Sequence, residues 1–492
     1  MRILLVTSEM APLAKTGGLA DVSQALPKAL AGLGHEVAVA LPFYGSIREG
    51  GLKARKILPE VVVDLPAGIR SAAVWRASVP SARPDNPLSV YLIDDPGLFD
   101  RPGLYAGQGG EYPDNALRFG YFCLAAAWML KGLGWRPDAI IANDWQASLI
   151  SINRRWHPAV SADPWLASIP VLLSIHNISY QGIYPDYLLE HLGLPKSAFH
   201  IDGLEFHGSL NLLKGAIMTS DWITTVSPTY AREIQSPELG FGLDGAIRSR
   251  GDRLRGILNG IDVEAWDPAA DPTLPARYDA SDLTGKQICK QRLQQRFGLP
   301  AEPRRPLIGM VGRLVEQKGF DLVLEALPEL LRGQNQVVVL GTGDPRYEDV
   351  LRAMARRSPR KLGVRIGFDE PLARLIEAGA DMFLMPSLFE PCGLNQLYSL
   401  RYGTAPIVRR TGGLADTVLN ATPARLASGK ATGFVFTQYT ARHMCAAIRR
   451  ALRLYRNDPA AWRKLILTGM EQDFSWTRSA KEYVGVLTKV RK

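Results

Sequence analysis

Two stretches decide the fold: residues 2–22 read RILLVTSEMAPLAKTGGLADV, and residues 405–418 read APIVRRTGGLADTV. Each opens with a short apolar run typical of a buried strand and reaches TGGLAD where a helical pattern begins. Chance recurrence of this hexapeptide is improbable. We therefore interpret the repeat as a sign of two similar nucleotide-binding-type domains that face each other. Each is expected to present a glycine-rich turn to a shared cleft.

The same alternation of strand and helix continues along the chain. Predicted strands are residues 3–7, 36–41, 139–143, 171–176, 223–226, 307–312, 336–340, 382–385 and 405–409, and predicted helices are residues 19–33, 115–131, 322–331, 394–402 and 441–456. Alternating strands and helices are typical of parallel sheets with helices on both faces. The predicted fold class is therefore α/β, with two Rossmann-like, doubly wound domains whose ligands bind at the carboxyl ends of strands.

The length of 492 residues also favours two domains, because a single core stops growing near about 250–300 residues. Residues 266–283 and 298–306 are rich in Pro and polar residues and are predicted loops. We predict a first domain over residues 1–257 and a second over residues 258–473. Residues 474–492 are predicted to form a helix that returns to the first domain.

Composition narrows the classes of partner and the compartment. The formal net charge of +10 suggests an anionic partner, but the densest basic clusters lack interleaved aromatics, so a nucleotide diphosphate is favoured over nucleic acid. Apolar runs such as residues 124–130 are shorter than the about 18 residues of a membrane span, and residues 2–8 do not resemble a signal peptide. Four scattered cysteines suit a reducing cytosol. We expect a cytoplasmic protein without membrane association.

The first candidate ligand loop is Lys15-Thr16-Gly17-Gly18. Two glycines before a helix let backbone N–H groups approach a ligand closely. The helix N-terminus and the Lys15 ammonium add positive charge, which together suit a phosphate. The alternative is a tight turn with a solvated lysine.

The second candidate group follows the strand predicted over residues 307–312. Arg313 and Lys318 are placed to clamp a diphosphate, Arg bidentately and Lys as a point charge. Glu390, before Cys392 and Gly393, is predicted to bind sugar hydroxyls or to stabilise positive charge as a glycosidic bond breaks. The alternatives are surface charge for the two cations and a helix N-terminal partner for Glu390. Cys392 is predicted to pack rather than to act as a nucleophile.

Polar residues also end two strands of the first half. Asp144 and Trp145 follow residues 139–143, and His176 and Asn177 follow the next strand. Because side chains at the carboxyl ends of parallel strands face the ligand, we expect Asp144, His176 and Asn177 to bind sugar hydroxyls. Trp145 is expected to offer an apolar face to a sugar ring. A structural histidine is the alternative for His176. From the residues alone, Asn259 and Gly260 are predicted to form a turn.

Metal chemistry is not indicated by the sequence. The chain contains no DxD and no spacing of His, Cys and carboxylates typical of a metal site. If a diphosphate leaves, Arg and Lys must then neutralise it in place of Mg²⁺. We predict no metal and no bound cofactor.

Eight motifs, in order from end to end, closely resemble bacterial and plastid glycogen and starch synthases. They are KTGGLADV from residue 15, NDW from 143, HN from 176, VSPTYAREI from 226, LNGID from 258, GRLVEQKG from 312, FEPCGLNQLYSLRYGT from 389 and RRTGGLADTV from 409. The resemblance implies the GT-B fold, with the active site between two domains. It also implies transfer of glucose from ADP-glucose to the non-reducing 4-hydroxyl of an α-1,4-glucan such as glycogen, with retention of configuration.

The resemblance assigns roles to single residues. Lys15 would contact the donor diphosphate, and Arg313 and Lys318 would neutralise the departing ADP. Glu390 would hold the donor glucose beside the backbone of residues 392–393, and Asp144 and His176 would line the glucose and acceptor side. The rest of the implied substrate-binding set is Thr16, Gly17, Gly18, Asp21, Trp145, Asn177, Asn259, Leu394, Asn395 near the phosphates and Phe368 against the adenine.

Two positions depart from common patterns. Many retaining enzymes of this fold carry a second Glu eight positions after the first, where this chain has Tyr398, as bacterial-type glycogen synthases also tend to. Asn143 stands where the family usually has His, which puts a role for that side chain in doubt. With no second carboxylate evident as a nucleophile, we favour a single-displacement reaction on the front face of the sugar.

Several alternatives stay open at this stage. A related transferase of the same fold could use UDP-glucose or form sucrose or trehalose. A phosphorylase would need a lysine that binds pyridoxal phosphate. A non-catalytic glucan-binding protein is the alternative outside enzymes, although it would have no reason to keep Lys15, Arg313, Lys318 and Glu390. The sequence does not decide the oligomeric state, and a homo-oligomer is compatible with it.

Overall fold

The computed structural model describes residues 1–80 and 87–491 of the chain. The chain divides into two units, of which the first comprises Met1–Gly260 with Trp476–Lys492 and the second comprises Ile261–Ser475. The chain passes from the first unit to the second next to the predicted junction at residue 258. It passes back two residues after the predicted junction at residue 474.

The first unit is built on a nine-stranded sheet. Its strands, with those of two small sheets, are β1 (Arg2–Val6), β2 (Glu36–Pro42), β3 (Ala54–Leu65), β4 (Gly68–Val79), β5 (Leu88–Asp94), β6 (Ala106–Gly107), β7 (Gly110–Glu111), β8 (Ala139–Asn143), β9 (Val171–Ile175), β10 (Ile183–Pro185), β11 (Glu205–Phe206), β12 (Ser209–Asn211), β13 (Trp222–Thr225) and β14 (Leu254–Gly256). The large sheet has the order β14-β13-β9-β8-β1-β2-β5-β4-β3. Its first seven strands are parallel, and β4 and β3 add an antiparallel hairpin.

Helices cover this sheet because its central strands are apolar throughout. Residues 3–6 of β1 are at most 1% exposed, as expected for a parallel strand buried on both faces. The helices are α1 (Gly18–Gly32), α2 (Gly45–Glu49), α3 (Pro96–Phe99), α4 (Asn115–Leu133), α5 (Leu149–Trp156), α6 (Pro158–Ser161), α7 (Pro164–Ala167), α8 (Leu188–His191), α9 (Leu212–Thr219), α10 (Pro228–Glu233) and α11 (Asp244–Arg248).

The second unit contains a six-stranded sheet that is parallel throughout. Its strands are β15 (Leu307–Val311), β16 (Gln336–Gly341), β17 (Leu362–Ile366), β18 (Met382–Met385), β19 (Ala405–Arg409) and β20 (Phe434–Phe436). Its helices are α12 (Thr284–Arg296), α13 (Phe320–Arg332), α14 (Pro345–Arg357), α15 (Glu370–Gly379), α16 (Asn395–Arg401), α17 (Gly412–Thr417), α18 (Pro423–Ala427), α19 (Ala441–Asn457) and α20 (Pro459–Met470).

The strand order places one candidate ligand edge in each unit. The second sheet runs β17-β16-β15-β18-β19-β20, which is the Rossmann order, and it reverses between β15 and β18. The first sheet reverses between β1 and β8. Ligands of open α/β sheets bind outside the carboxyl ends of the strands at such reversals. The loops after these four strands position many of the candidate site residues, and His176 follows the neighbouring strand β9.

The last helix, α21 (Trp476–Val490), belongs to the first unit, where it packs on α1 and β9. Its inner face is apolar, with Ala480, Tyr483 and Leu487 completely buried. The Ser479 hydroxyl donates a hydrogen bond to the Leu258 carbonyl, 2.5 Å away. Apolar packing and this hydrogen bond from a side chain to the backbone together hold the last helix on the first unit.

The predicted α/β class with two doubly wound domains is confirmed, and each predicted strand and helix lies within about two residues of an observed one. The hairpin β3–β4 and the strands β5, β14, β17 and β20 were not predicted. Neither were several helices, among them α12, α14 and α15. Among residues 1–80 and 87–491, no helix combines the length and the apolar character that crossing a membrane requires.

Candidate active site

The carboxylate of Glu390 is the centre of the candidate site in the second unit. It lies in the loop after β18 and is 5% exposed. Lys318 Nζ lies 2.6 Å from its Oε2 atom, and the Ser387 hydroxyl donates to the same oxygen at 3.0 Å. A buried carboxylate needs such partners, because an unpaired charge is costly away from water. The sequence predicted both ends of this pair but not Ser387.

The loop that carries Lys318 lies directly against the loop that carries Glu390. The Leu388 N–H donates to the Gln317 carbonyl at 2.9 Å. Gly319 has a φ of 78°, and a Cβ atom there would lie 2.3 Å from the Pro386 carbonyl oxygen. Only glycine fits both this backbone conformation and this approach. Gly319, the last residue of GRLVEQKG, thus lets the loop bring the Lys318 ammonium close to Glu390.

The second TGGLAD repeat supports the backbone of the Glu390 loop. The Gly413 N–H donates to the carbonyls of Glu390 and Pro391, at 3.2 and 3.1 Å. A Cβ atom on Gly412 would lie 1.9 Å from the Glu390 carbonyl oxygen. From the sequence, this repeat was expected to present a glycine-rich turn to a shared cleft. Its glycines instead contact the chain itself, because the backbone of residues 390–392 fills the space beside them.

The remaining predicted residues of this unit lie around the same strand ends. Arg313 is exposed at the end of β15 and donates to Gln317 Oε1 at 3.3 Å. Asn395 begins α16 and donates to the Val311 carbonyl at 2.9 Å. Cys392 is 4% exposed, as its predicted packing role requires. Gly393 and Leu394 follow it in the same loop, and Phe368, after β17, is 86% exposed.

The KTGG loop of the first unit is held by a carboxylate that the sequence analysis missed. Glu9, 4% exposed, accepts the N–H groups of Thr16 and Gly17 on Oε2, at 2.7 and 3.1 Å. Its Oε1 atom accepts the hydroxyls of Thr16 and Tyr105, at 2.6 and 2.8 Å. An internal carboxylate therefore occupies two backbone donors that were predicted to be available to a phosphate.

The rest of this loop is open to ligands. No heavy atom of the described residues lies within 4 Å of a Cβ built on Gly17. Gly18 begins α1. Lys15 Nζ contacts Asp21 Oδ1 at 2.7 Å, a half-exposed pair that contributes little to stability. Lys15 can therefore exchange Asp21 for another anion at low cost.

Asp144 and His176 are brought together at the ends of β8 and β9. The backbone N–H of His176 donates to Asp144 Oδ1 at 2.7 Å. Burial raises the pKa of Asp144 to about 7, and burial lowers the pKa of His176 to about 4. Asp144 also has a φ of 53°, which is uncommon for a residue with a side chain. Near neutral pH the pair therefore consists of an uncharged imidazole and a carboxyl group close to its titration point.

Trp145 has a different position from the one expected. Its side chain is 7% exposed and packs between Phe119 and Tyr184, with ring centroids 5.3 and 5.8 Å away. A Cβ on Gly182 would lie 2.6 Å from the indole. The structure gives Trp145 a packing role instead of an open face for a sugar ring, because the Gly182 turn and these aromatics cover it.

Two predicted asparagines complete the first unit's group. Asn177 Oδ1 accepts the N–H and the hydroxyl of Ser179, at 3.1 and 2.8 Å. Asn259 is 6% exposed, and within the described part of the chain its Oδ1 atom has no hydrogen-bond partner. A buried polar atom without a partner is costly, so Asn259 can gain energy from a donor on a ligand.

No group of three or more His, Cys, Asp or Glu residues that could hold a metal ion occurs among residues 1–80 and 87–491. At the strand ends, Lys318 pairs with Glu390 and Asp144 accepts the backbone N–H of His176. This arrangement presents cations and one buried carboxylate in the second unit, and hydrogen-bonding groups for a polar ligand in the first.

Comparison with known proteins assigns this arrangement to a family. The family described as the starch synthase catalytic domain matches residues 2–249, and the one described as glycosyl transferases group 1 matches residues 291–465. The chain is 48% identical over 490 residues to a glycogen synthase of Thioalkalivibrio sulfidiphilus (strain HL-EbGR7), covering 98% of each chain. This chain belongs to the glycogen and starch synthase family.

Further relatives of this glycosyltransferase agree. It is 49% identical over 486 residues to a glycogen synthase of Anaeromyxobacter dehalogenans (strain 2CP-C), covering 98% of each chain. The catalytic domain of starch synthase IV from Arabidopsis thaliana, solved with ADP and acarbose, has a TM-score of 0.90 at 34% identity and 99% coverage of each chain. A sucrose-phosphate synthase from Thermosynechococcus elongatus shares the fold alone, with a TM-score of 0.59 at 18% identity, covering 99% of this chain and 98% of that one.

Proposed function

We propose that this glycosyltransferase moves glucose from ADP-glucose to the non-reducing 4-hydroxyl of an α-1,4-glucan, with retention of configuration. The observation that carries the proposal is the Lys318–Glu390 pair, 2.6 Å apart, at the strand reversal of the second unit. A cation and a buried carboxylate there suit the two charges of the reaction. The leaving diphosphate is negative, and the anomeric carbon becomes positive as its bond breaks.

The proposed donor chemistry assigns separate tasks to the residues of the second unit. Arg313 and Lys318 neutralise charge that develops on the departing ADP, and Asn395 lies near the phosphates. Glu390 binds donor-sugar hydroxyls and stabilises positive charge on the sugar. The loop geometry supports this assignment, because the Gly319 and Gly413 contacts hold Lys318 and Glu390 in fixed loops, and preorganised charges stabilise a transition state most effectively.

The residues of the first unit are proposed to bind sugar and phosphate. Lys15 contacts phosphate, which its weak pairing with Asp21 permits. His176 and Asn177 bind sugar hydroxyls, and Asp144 holds the backbone of their loop, since its Oδ1 atom accepts the backbone N–H of His176. The unpartnered Oδ1 atom of Asn259 accepts a hydrogen bond from a sugar hydroxyl. Phe368, in the second unit, is proposed to contact the adenine.

We further propose that no divalent metal is needed and that the enzyme works in the cytoplasm. The guanidinium of Arg313 and the ammonium of Lys318 supply positive charge of the kind that Mg²⁺ supplies to many leaving diphosphates. For the compartment, the support is that no disulfide occurs in the described part of the chain, where all four cysteines are buried.

The test is nucleotide release from ADP-glucose and from UDP-glucose, with and without glycogen, in the presence of EDTA. Wild type is compared with Glu390→Gln and with Glu329→Gln, a control in which an exposed carboxylate paired with Arg449 is changed. We expect glycogen-dependent ADP release that survives EDTA and falls about 10²–10³-fold only in Glu390→Gln, the loss typical of one preorganised electrostatic group.

Other outcomes would contradict separate parts of the proposal. Preference for UDP-glucose would overturn the donor assignment. Loss of activity in EDTA, restored by Mg²⁺, would overturn metal independence. Glycogen binding without nucleotide release from either donor would indicate a non-catalytic glucan-binding protein. Equal activity of the two variants would remove Glu390 from the site.

A further inference from the structure

Asn143 is the last residue of β8 and is 1% exposed. Its amide lies between two groups. On one side, Oδ1 is 3.2 Å from Nε2 of His176. On the other, Nδ2 donates to the Ser23 hydroxyl at 3.4 Å. The side chain thus connects the His176 ring to α1, although no function was expected for it from the sequence.

A directed chain of hydroxyl groups fixes which end of the amide faces the ring. The Thr7 hydroxyl donates to the Glu9 carbonyl at 3.0 Å, so its single hydrogen is used. The Ser23 hydroxyl, 2.9 Å from Thr7 Oγ1, must then donate to Thr7. Ser23 is left to accept, and it accepts from the amide N–H of Asn143. An amide nitrogen can only donate and its oxygen can only accept, so the oxygen end faces His176.

An acceptor facing Nε2 decides which ring nitrogen carries the proton. Neutral imidazole has one N–H donor and one acceptor nitrogen, and the partner of one nitrogen determines the other. Because Asn143 Oδ1 cannot donate, its contact with Nε2 of His176 is a hydrogen bond only when Nε2 carries the hydrogen. Ser174 Oγ, also 3.2 Å from Nε2, can accept the same N–H. Nδ1 is then the acceptor, and it has no hydrogen-bond partner among the residues the structure describes.

We propose that Asn143 is a positioning residue that holds His176 as the Nε2–H tautomer, so that Nδ1 accepts a hydrogen bond from a sugar hydroxyl. Asn143 does not itself touch the substrate. The tautomer is inferred from the contacts of Asn143 and Ser23, whereas its use in sugar binding rests on the role proposed for His176 above.

The surroundings of the ring favour the neutral form. The charged group nearest in the hydrogen-bond pattern is Asp144, which accepts the backbone N–H rather than a ring nitrogen. The buried phenol of Tyr483, on α21, lies 3.5 Å from Ser174 Oγ and contributes no charge near neutral pH. Burial also lowers the pKa of His176 to about 4. Protonation of Nδ1 would remove the acceptor, and the lowered pKa keeps the ring neutral near neutral pH.

The experiment is NMR of the full-length enzyme labelled with ¹⁵N in its histidine rings, where two-bond nitrogen–proton correlations report the tautomer. The His176 signals are assigned by their absence in His176→Gln. Variants are Asn143→Leu, which keeps the shape but removes the acceptor, and Asn143→Asp, which keeps an acceptor and adds charge. The ring of His157, whose buried Nδ1 atom has no hydrogen-bond partner in the described part of the chain, is the internal control.

We expect wild type to show Nε2–H without titration down to about pH 5, and Asn143→Leu to populate Nδ1–H measurably. In Asn143→Asp the pKa of His176 should rise by about 1–3 units, the usual effect of an opposite charge at this distance. The acid limb of its kcat/KM profile should move upward with that pKa. His157 signals should be unchanged in both variants.

Three results would overturn the proposal. The first is an Nδ1–H tautomer in wild type. The second is an unaltered tautomer in Asn143→Leu when its activity falls, since Asn143 would then be only a packing residue. The third is a shifted tautomer with unaltered kcat/KM, which would show that the acceptor nitrogen is not used. Because the tautomer is read without substrate, failure of the proposed reaction is distinguishable from failure of this inference.

Discussion

Replacing Glu9 with alanine should release the KTGG loop. The change removes four hydrogen bonds to one carboxylate, two of them from the backbone N–H groups of Thr16 and Gly17. A hydrogen bond to a charged group contributes about 1.5–3 kcal/mol. Thr16 and Gly17 are exposed, so water can replace much of what is lost. We therefore expect the loop to be destabilised by about 2–4 kcal/mol.

Hydrogen exchange measures this loss directly, because within the described residues the Thr16 and Gly17 amides donate to Glu9 alone. At about 1.4 kcal/mol for each factor of ten, exchange at Thr16 and Gly17 should accelerate about 30- to 700-fold in Glu9→Ala. Amides in the middle of β1 should keep wild-type rates. Glu9→Gln is the matched control, because its oxygen can still accept both N–H groups while its NH₂ faces hydroxyls that can turn. Wild-type exchange at Thr16 and Gly17 in Glu9→Ala would refute the reasoning.

Three further predictions concern other parts of the chain. Gly412→Ala should lower Tm and abolish ADP release, because the added Cβ would lie 1.9 Å from the Glu390 carbonyl oxygen. Gly17→Ala in the other repeat should keep the wild-type Tm. Equal Tm values for the two variants would contradict this. Asp381→Ala should cost about 3–5 kcal/mol in denaturant unfolding because it leaves buried Lys290 unpaired, against under about 1 kcal/mol for the exposed Glu329→Ala. Because the pKa of Asp144 is raised in the folded state, its contribution to stability is complete below pH 3.8 and is lost progressively as pH rises to about 7. The free energy of unfolding of Asp144→Asn should therefore fall less than that of wild type between pH 3.8 and about 7. Parallel curves for the two proteins would count against the raised pKa.

The sequence predicted the central strands of both sheets because they are buried on both faces, but it missed β5, β14, β17 and β20. Strands such as β1 and β18 are continuous apolar runs, which few other structures produce. The hairpin β3–β4 was missed because many of its residues are exposed, its strands lack a regular alternation of apolar and polar residues, and its register is irregular. Such strands depend on pairing partners that a sequence pattern does not reveal.

The site was predictable where a residue ends a parallel strand. That rule found Asp144, His176 and Arg313, and it could also have found Glu9, which follows β1 by three residues. No pattern pointed to Tyr105, whose hydroxyl reaches Glu9 from 96 positions away. The roles of the two TGGLAD repeats could not be separated by sequence either. What distinguishes them is a tertiary neighbour, the backbone of residues 390–392, that contacts only the second.

The return of α21 to the first unit has a consequence for the order of synthesis. A ribosome that has finished Met1–Gly260 must still make the 215 residues of Ile261–Ser475 before this helix exists. At about 5–20 residues per second, that interval lasts roughly 10–40 s. During this interval, the apolar surfaces of α1 and β9 against which α21 later packs are not covered by Tyr483 and Leu487. The first half to emerge is thus the last to be completed, and premature termination near residue 475 would damage the domain made first.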